Sequence, residues 1–287
     1  MIGTSASSKA RGKRGFAANI RRVLIVTGIV VVALYAAILV LVYWKQEALI
    51  FHAKPLAADF RFTMPDIVEV NVPVEGGLLH ALHFKQAHPK GVVFFLHGNG
   101  GNVASWLTSV DFYRRVNYDL FILDYRGYGK STGHIESEAQ LNNDVLAAWR
   151  FITPQYAGKK LVVFGRSLGT GLAAALSTSI KPDLTVMVTP YLSLKAMGQL
   201  RYPWLPSVIS RYPMRSDEWL PQIKNPVMIL AAGADEVIPV SQAELLSRVR
   251  LGSQQSAEYT VVPGAGHNDI HQFPLYLDTL AARLIGL

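Results

Sequence analysis

Cysteine is missing from all 287 positions. Its absence excludes a thiol nucleophile, thiolate-bound zinc or iron–sulfur centres and disulfide staples, so any covalent chemistry has to use another side chain. It leaves the redox compartment undecided. Acidic residues are also scarce, 20 against 28 lysines and arginines, for a formal charge of +8. That excess is not spread over the chain: Lys9, Arg11, Lys13, Arg14, Arg21 and Arg22 come before any acid, and the remainder is nearly balanced. A face for nucleic acid needs cations distributed over folded surface. These sit in a Gly/Ser/Ala-rich leader with no visible way to fold, so no nucleic-acid partner is expected. Internal repeats, low-complexity tracts and long linkers are lacking from Asp66 onward, and the length suits one ordinary domain with a short appendage.

What the early part of the chain does contain is a long uncharged run. Val23 to Trp44 is 22 residues consisting almost wholly of Val, Ile, Leu and Ala. As a helix it would reach about 33 Å, enough to span a bilayer. Tyr43 and Trp44 mark its far end as interfacial aromatics do, and Lys45 follows at once. A cleaved secretory signal has an apolar stretch of only about 7 to 15 residues followed by a small-x-small cleavage site. Neither feature fits, so the run predicts an uncleaved signal anchor. The cations before it predict a cytoplasmic N-terminus and a body carried across the membrane, periplasmic or lumenal. The organisation that follows is a basic leader over 1–22, a transmembrane segment over 23–44, a juxtamembrane connector over 45–65 and a folded body over 66–287.

In the body, strand and helix signals alternate, which predicts one α/β domain. Ile67 to Val74 and Leu78 to Phe84 read as a hairpin around Glu75-Gly76-Gly77. Gly91 to Leu96, Leu120 to Leu123, Leu161 to Phe164, Leu184 to Val188 and Val227 to Ala231 are short continuous apolar runs of the kind that fill buried strands. The intervals between them are long enough for crossover helices, so the sheet should be mostly parallel, with helices on both faces. One such helix is announced by the capping-box pattern Ser137-Glu138-Ala139-Gln140. Leu141, Val145, Leu146, Trp149 and Ile152 then recur at helical spacing.

The chemistry-bearing pattern is Gly165-Arg166-Ser167-Leu168-Gly169, placed directly after an apolar strand and before a helix of small residues. A serine on so sharp a turn crowds its neighbours, which explains glycine on both sides, and the helix N-terminus favours developing negative charge. A hydroxyl attacks only when a base takes its proton, and the base needs a carboxylate to fix its tautomer. His267 qualifies as base because it follows the glycine-rich turn Pro263-Gly264-Ala265-Gly266 after a strand; His52, His80 and His83 have no comparable setting. For the carboxylate, Asp235 lies just beyond the C-terminal end of the Val227 to Ala231 strand, with Glu236 in reserve. Donors for an oxyanion are expected from the backbone N–H groups of Leu168 and of Asn99 in the loop Leu96-His97-Gly98-Asn99-Gly100-Gly101-Asn102, with Gly100 the alternative to Asn99. His97, ending a buried strand, suits a loop-fixing hydrogen bond better than a second base. Two look-alikes are set aside. Gly127-Tyr128-Gly129-Lys130-Ser131 lacks the earlier glycine of a phosphate loop, since Asp124 stands there. His267 and His271 have the spacing of helical metal ligands but no H-E-x-x-H glutamate and no third ligand nearby, so no metal and no organic cofactor are expected.

Taken together, His97-Gly98-Asn99-Gly100-Gly101-Asn102, Asp124-Tyr125-Arg126-Gly127-Tyr128-Gly129-Lys130-Ser131, Gly165-Arg166-Ser167-Leu168-Gly169, Asp235-Glu236-Val237-Ile238-Pro239 and Gly264-Ala265-Gly266-His267-Asn268 resemble, in this order, the α/β-hydrolase superfamily. Within it they are most similar to the compact ABHD-type branch, which includes membrane-associated lysophospholipases and protein depalmitoylases. The resemblance covers about Asp66 to Leu287. It implies the α/β-hydrolase fold with a short cap, Ser167 as nucleophile, Asp235 as orienting acid, His267 as base, an oxyanion hole after His97, and Asp124 to Gly129 as a structural turn. One departure is visible: the glycine three residues before the acid is replaced by Ala232. The cap would be residues 191–215, rich in apolar and aromatic side chains with cations among them, and Tyr191 and Trp204 are its expected substrate contacts. The function expected is a membrane-anchored serine hydrolase acting on ester or thioester bonds of acyl or lipid-like substrates. A peptidase on the same fold and a catalytically silent tethered binding protein are the alternatives.

Overall fold

The computed structural model describes residues 5–107, 110–252 and 257–287. The chain divides into two compact units, Met1–Gln46 and Glu47–Leu287. The first is a single helix, α1 (Ser5–Trp44), whose stretch Asn19–Trp44 is, among the described residues, the one helix long and apolar enough to cross a membrane. The leader, expected to lack structure, is helical from Ser5 onward. Nucleating a helix is costly but extending one is not, so Ala, Lys and Arg continue a helix already established by the apolar run.

The second unit is built on an eight-stranded sheet: β1 (Ile67–Val74), β2 (Gly77–Phe84), β3 (Gly91–Leu96), β4 (Tyr118–Leu123), β5 (Lys160–Arg166), β6 (Leu184–Val188), β7 (Val227–Ala232) and β8 (Ala257–Val262), in the order β1-β2-β4-β3-β5-β6-β7-β8. The β1–β2 hairpin is antiparallel and joins β4 in antiparallel register; every pairing from β4 to β8 is parallel. Every residue of β3, β4, β6 and β7 is buried, as a sheet covered on both faces requires.

The helices of this unit include α2 (Val110–Val116), α3 (Glu138–Ile152), α4 (Leu168–Ser179), α5 (Leu194–Arg201), α6 (Val240–Gly252) and α7 (Pro274–Ile285). Helix α3 starts where the capping pattern predicts. Ser137 Oγ accepts the Gln140 N–H, while Gln140 Oε1 reaches back to the N–H of Glu136 instead of that of Ser137. Its residues Leu141, Val145, Trp149 and Ile152 are buried, and the Trp149 ring stands edge-on to Phe94 of β3 at 5.5 Å. Apolar clusters cover both faces of the sheet: Leu141, Leu172 and Phe121 belong to one, Phe95, Phe164 and Leu280 to a second, and Met187, Ile229 and Leu246 to a third. Full burial of each such side chain contributes about 1.5 to 3 kcal/mol, which fixes the sheet as the rigid platform for the loops at its C-terminal edge.

Candidate active site

Between β5 and α4, Ser167 has φ 52° and ψ −120°, a conformation that side chains rarely adopt. The Ser167 N–H donates to Val188 of β6 at 3.0 Å, and its carbonyl accepts from the N–H of Thr170 at 2.9 Å and its hydroxyl at 2.7 Å. The flanking glycines are sterically required. A Cβ at Gly165 would stand 2.4 Å from the Gly169 carbonyl oxygen, and one at Gly169 only 2.0 Å from that of Leu96. The turn thus pushes a half-buried hydroxyl out over the sheet edge.

Two loops from later strands converge on that hydroxyl. After β8, the glycine-rich turn brings His267 Nε2 to 2.9 Å from Ser167 Oγ. After β7, Asp235 Oδ2 lies 2.8 Å from His267 Nδ1, while Oδ1 of the same carboxylate accepts from the N–H groups of Val237 (2.9 Å) and Ile238 (2.7 Å). The Asp235 side chain is 2% exposed, so the contact operates away from solvent. Glu236, the reserve acid, does not face the ring; its Oε2 accepts the backbone N–H of His267 at 3.2 Å. The departure at Ala232 therefore leaves Asp235 in contact with the imidazole.

The loop after β3 packs directly against the turn, for a Cβ at Gly98 would lie 3.2 Å from Ser167 Cβ. Among the described residues, neither the Asn99 nor the Leu168 backbone N–H has a hydrogen-bond partner. His97 is fully buried, its Nδ1 2.7 Å from the Gly98 carbonyl and its own carbonyl bonded by the Tyr125 hydroxyl at 2.8 Å. It braces the loop and does not touch Ser167 or Asp235. Behind it, burial acts to raise the Asp124 carboxyl, but the rings of His80 and His97 outweigh burial and hold it below the usual range. Asp124 Oδ1 accepts the Val103 N–H at 2.9 Å. In the phosphate-loop look-alike, Lys130 Nζ donates to Glu69 at 2.5 Å. His271 stands on a short 3₁₀ turn, Ile270–Gln272.

Sequence reasoning missed Arg166. It is 7% exposed, and its Nη2 donates to the carbonyls of His267 (3.3 Å) and Asn268 (3.0 Å) while the guanidinium lies 5.2 Å over the Trp106 ring. Burial pulls its pKa down, against Tyr276, Tyr113 and Asp269, which act to raise it, and among the described residues no carboxylate stands within ion-pair distance. The one signal available was a cation at the variable position of the Gly-x-Ser-x-Gly pattern.

The expectation for Tyr191 needs correction. It is 1% exposed and belongs to the apolar cluster under α4, with its hydroxyl donating to Leu168 O at 3.0 Å. It supports the helix behind Ser167 and forms no lid surface. Trp204 is different: it is 52% exposed, with Leu200, Tyr202 and Val208 exposed nearby in sequence and no residue of α5 buried. Two cavities of about 410 Å³ are lined by Glu47, Phe51, Tyr128 and Arg211 in one case and by Met64, Phe112, Arg115 and Leu277 in the other; neither is lined by Ser167, Asp235 or His267.

Comparison with known proteins gives the same picture of the fold. A family profile described as "Serine aminopeptidase, S33" matches residues 87–218. The chain is 29% identical over 254 residues to Rv2307c of Mycobacterium tuberculosis, covering 84% of this chain and 87% of that protein. It is 31% identical over 197 residues to protein bem46 of Schizosaccharomyces pombe, covering 66% of this chain and 65% of bem46. Among solved structures, the Pyrococcus furiosus esterase Pf2001 superimposes with a TM-score of 0.67 at 17% identity, over 83% of this chain and 97% of that one.

Proposed function

Since the chain belongs to the α/β-hydrolase superfamily, we propose that it is a membrane-anchored serine hydrolase that cleaves ester or thioester bonds of acyl or lipid-like substrates through an acyl-enzyme. The observation that carries the reading is the continuous contact Asp235 Oδ2 to His267 Nδ1 to Ser167 Oγ, 2.8 and 2.9 Å long. In the cycle it supports, Ser167 Oγ bonds to the substrate carbonyl carbon as its proton passes to His267 Nε2. Asp235 steadies the imidazolium, and the N–H groups of Asn99 and Leu168 receive the negative charge on the former carbonyl oxygen. The imidazolium then protonates the departing alcohol or thiol. Water, deprotonated by the same ring, releases the acid and restores the serine.

The exposed apolar residues of the cap, Leu200, Tyr202, Trp204 and Val208, favour a long apolar acyl chain as the recognised group. The apolar helix supports anchoring, with the leader in the cytoplasm and the hydrolase unit on the other side. A fluorophosphonate probe tests the core of the reading: labelling of the full chain that disappears in Ser167→Ala is the expected result, and a folded wild type that takes no label refutes it in favour of a silent binding protein. The profile description "Serine aminopeptidase" favours a second reading, a peptidase. Turnover of aminoacyl anilides faster than of p-nitrophenyl acyl esters would select that one.

A further inference from the structure

The connector that follows α1 reads in sequence as a mixed apolar spacer, yet it makes an unusual set of bonds to the loop that carries Asn99. The Asn99 carboxamide is gripped on both sides by it: Nδ2 donates to Ile50 O at 2.5 Å and Oδ1 accepts the His52 N–H at 2.9 Å. The remaining capacity of Oδ1 is used by the Tyr128 hydroxyl (3.0 Å) and the Gly100 N–H (2.9 Å). Two residues further on, Lys54 N–H donates to Gly101 O at 3.0 Å, and Lys54 O accepts from Asn102 Nδ2 at 2.9 Å. The segment is itself tied at both ends. Glu47 accepts from the Tyr212 hydroxyl at 2.7 Å and pairs with Arg211, and Leu56 N–H donates to Gly129 O at 2.8 Å.

We infer that residues Glu47 to Leu56 form a positioning strap for the oxyanion hole: it holds the Asn99 side chain so that the Asn99 backbone N–H points at the developing oxyanion. Only a carboxamide of this length satisfies the strap, because one face must donate to a carbonyl and the other accept from an N–H. An aspartate would set an oxygen against the Ile50 carbonyl. The strap acts through Asn99 and touches no reacting atom. The inference rests on the reading of Asn99 as an oxyanion donor, and the test separates the two.

The test compares Asn99→Asp, His52→Pro, which deletes the N–H donor, and the double variant, all in the full-length chain, with His52→Ala as the matched comparison that keeps the donor. Kinetics on a p-nitrophenyl ester are expected to show kcat down about 10- to 100-fold in Asn99→Asp and in His52→Pro relative to His52→Ala, the range that misplacing a group by about an ångström produces. KM should change little. The double variant should lose less than the product of the two single losses, since each variant loosens a different grip of the same strap. Independent, multiplicative losses in the double variant, or kcat unchanged in Asn99→Asp, overturn the strap. Should His52→Pro fail to fold, the kcat-against-KM split in Asn99→Asp decides alone. Activity that survives Ser167→Ala points elsewhere, to failure of the serine-hydrolase reading itself.

Discussion

Asp235→Asn exchanges one oxygen for an NH₂ at the end of the relay, and the geometry specifies the consequence. Asp235 Oδ1 accepts from two backbone N–H groups, of Val237 and Ile238, and Oδ2 faces His267 Nδ1. An asparagine keeps both backbone bonds only with its carbonyl oxygen in the Oδ1 position, which sets its NH₂ against Nδ1. The flipped amide would oppose two donors and leave them unpaired, at about 1 to 3 kcal/mol each. In the retained orientation Nδ1 has to accept, so the ring proton moves to Nε2 and points at Ser167 Oγ, 2.9 Å away. The imidazole then cannot take the serine proton. The wrong tautomer costs about 10⁴ in kcat in a relay of this type, or about 5.4 kcal/mol at 1.36 kcal/mol per tenfold.

Side-chain volume is preserved and both backbone bonds persist, so the fold should lose only about 1 kcal/mol, a Tm change of a few degrees. Steady-state hydrolysis of a short p-nitrophenyl ester across pH 6 to 10, with a melting curve for each protein, reads out both quantities. The expected result is a kcat deficit of about four decades that narrows at high pH, where hydroxide does the work of the base, with KM nearly constant. A variant within tenfold of wild type would refute the tautomer argument. A large loss in Glu236→Gln would then make Glu236, whose Oε2 accepts the His267 backbone N–H, the orienting acid.

Other outcomes follow from the same contacts. Trp204→Glu should reduce turnover of long-chain esters more than of short ones, because it places a charge on the exposed cap; equal losses for both chain lengths reject the lid. Tyr156 donates its hydroxyl proton to Asp119, so His83 Nε2 must donate to Tyr156 (2.6 Å), and burial first, then Lys85, pushes the His83 pKa down to about 4. That imidazole stays neutral in the folded state while the unfolded chain protonates near 6.5, so its contribution is complete above pH 6.5 and is lost as pH falls to 4. The loss is about 3 kcal/mol at 1.36 kcal/mol per pKa unit. Melting curves should therefore fall more steeply over that window in the wild type than in His83→Gln, and parallel curves contradict the assignment. Because the chain lacks cysteine, Lys224→Cys carries a single thiol at an exposed site of the hydrolase unit. On sealed membrane vesicles of known sidedness, a membrane-impermeant maleimide should label it only from the non-cytoplasmic side, and labelling from the cytoplasmic side reverses the proposed orientation.

The strands legible in the sequence are those whose burial is uninterrupted. Gly91–Leu96 and Leu184–Val188 have the predicted bounds because every residue faces a covered side of the sheet. β4 begins at Tyr118, two residues before its apolar run, because Asp119 is buried there against the Tyr156 hydroxyl and breaks the pattern. Ser167, Asp235 and His267 stood out through their surroundings: each follows a strand, in a glycine-containing turn. Tyr191 was misread because cap and core share the same apolar, aromatic composition, and only the fold places that ring beneath Leu168. The strap left no trace in periodicity, since most of its bonds are made by backbone atoms of Ile50, His52 and Lys54.

Arg166 is a buried cation held beside Ser167 at a cost. Removing a guanidinium from water costs several kcal/mol unless a carboxylate compensates, and here the partners are two neutral carbonyls and an indole face. A methionine of similar reach would sit among Trp106, Tyr113 and Tyr276, which line the same small cavity, without that cost. Stability alone therefore gives no reason for the cation. What methionine could not do is hold the carbonyls of His267 and Asn268, the residues that set the direction of the imidazole. The positive φ of Ser167 is a cost of the same sort, placed in the turn that presents the hydroxyl. The clusters on the two faces of the sheet supply the stability that sustains them, and substitutions that relieve these local costs should stabilise the fold at the expense of turnover.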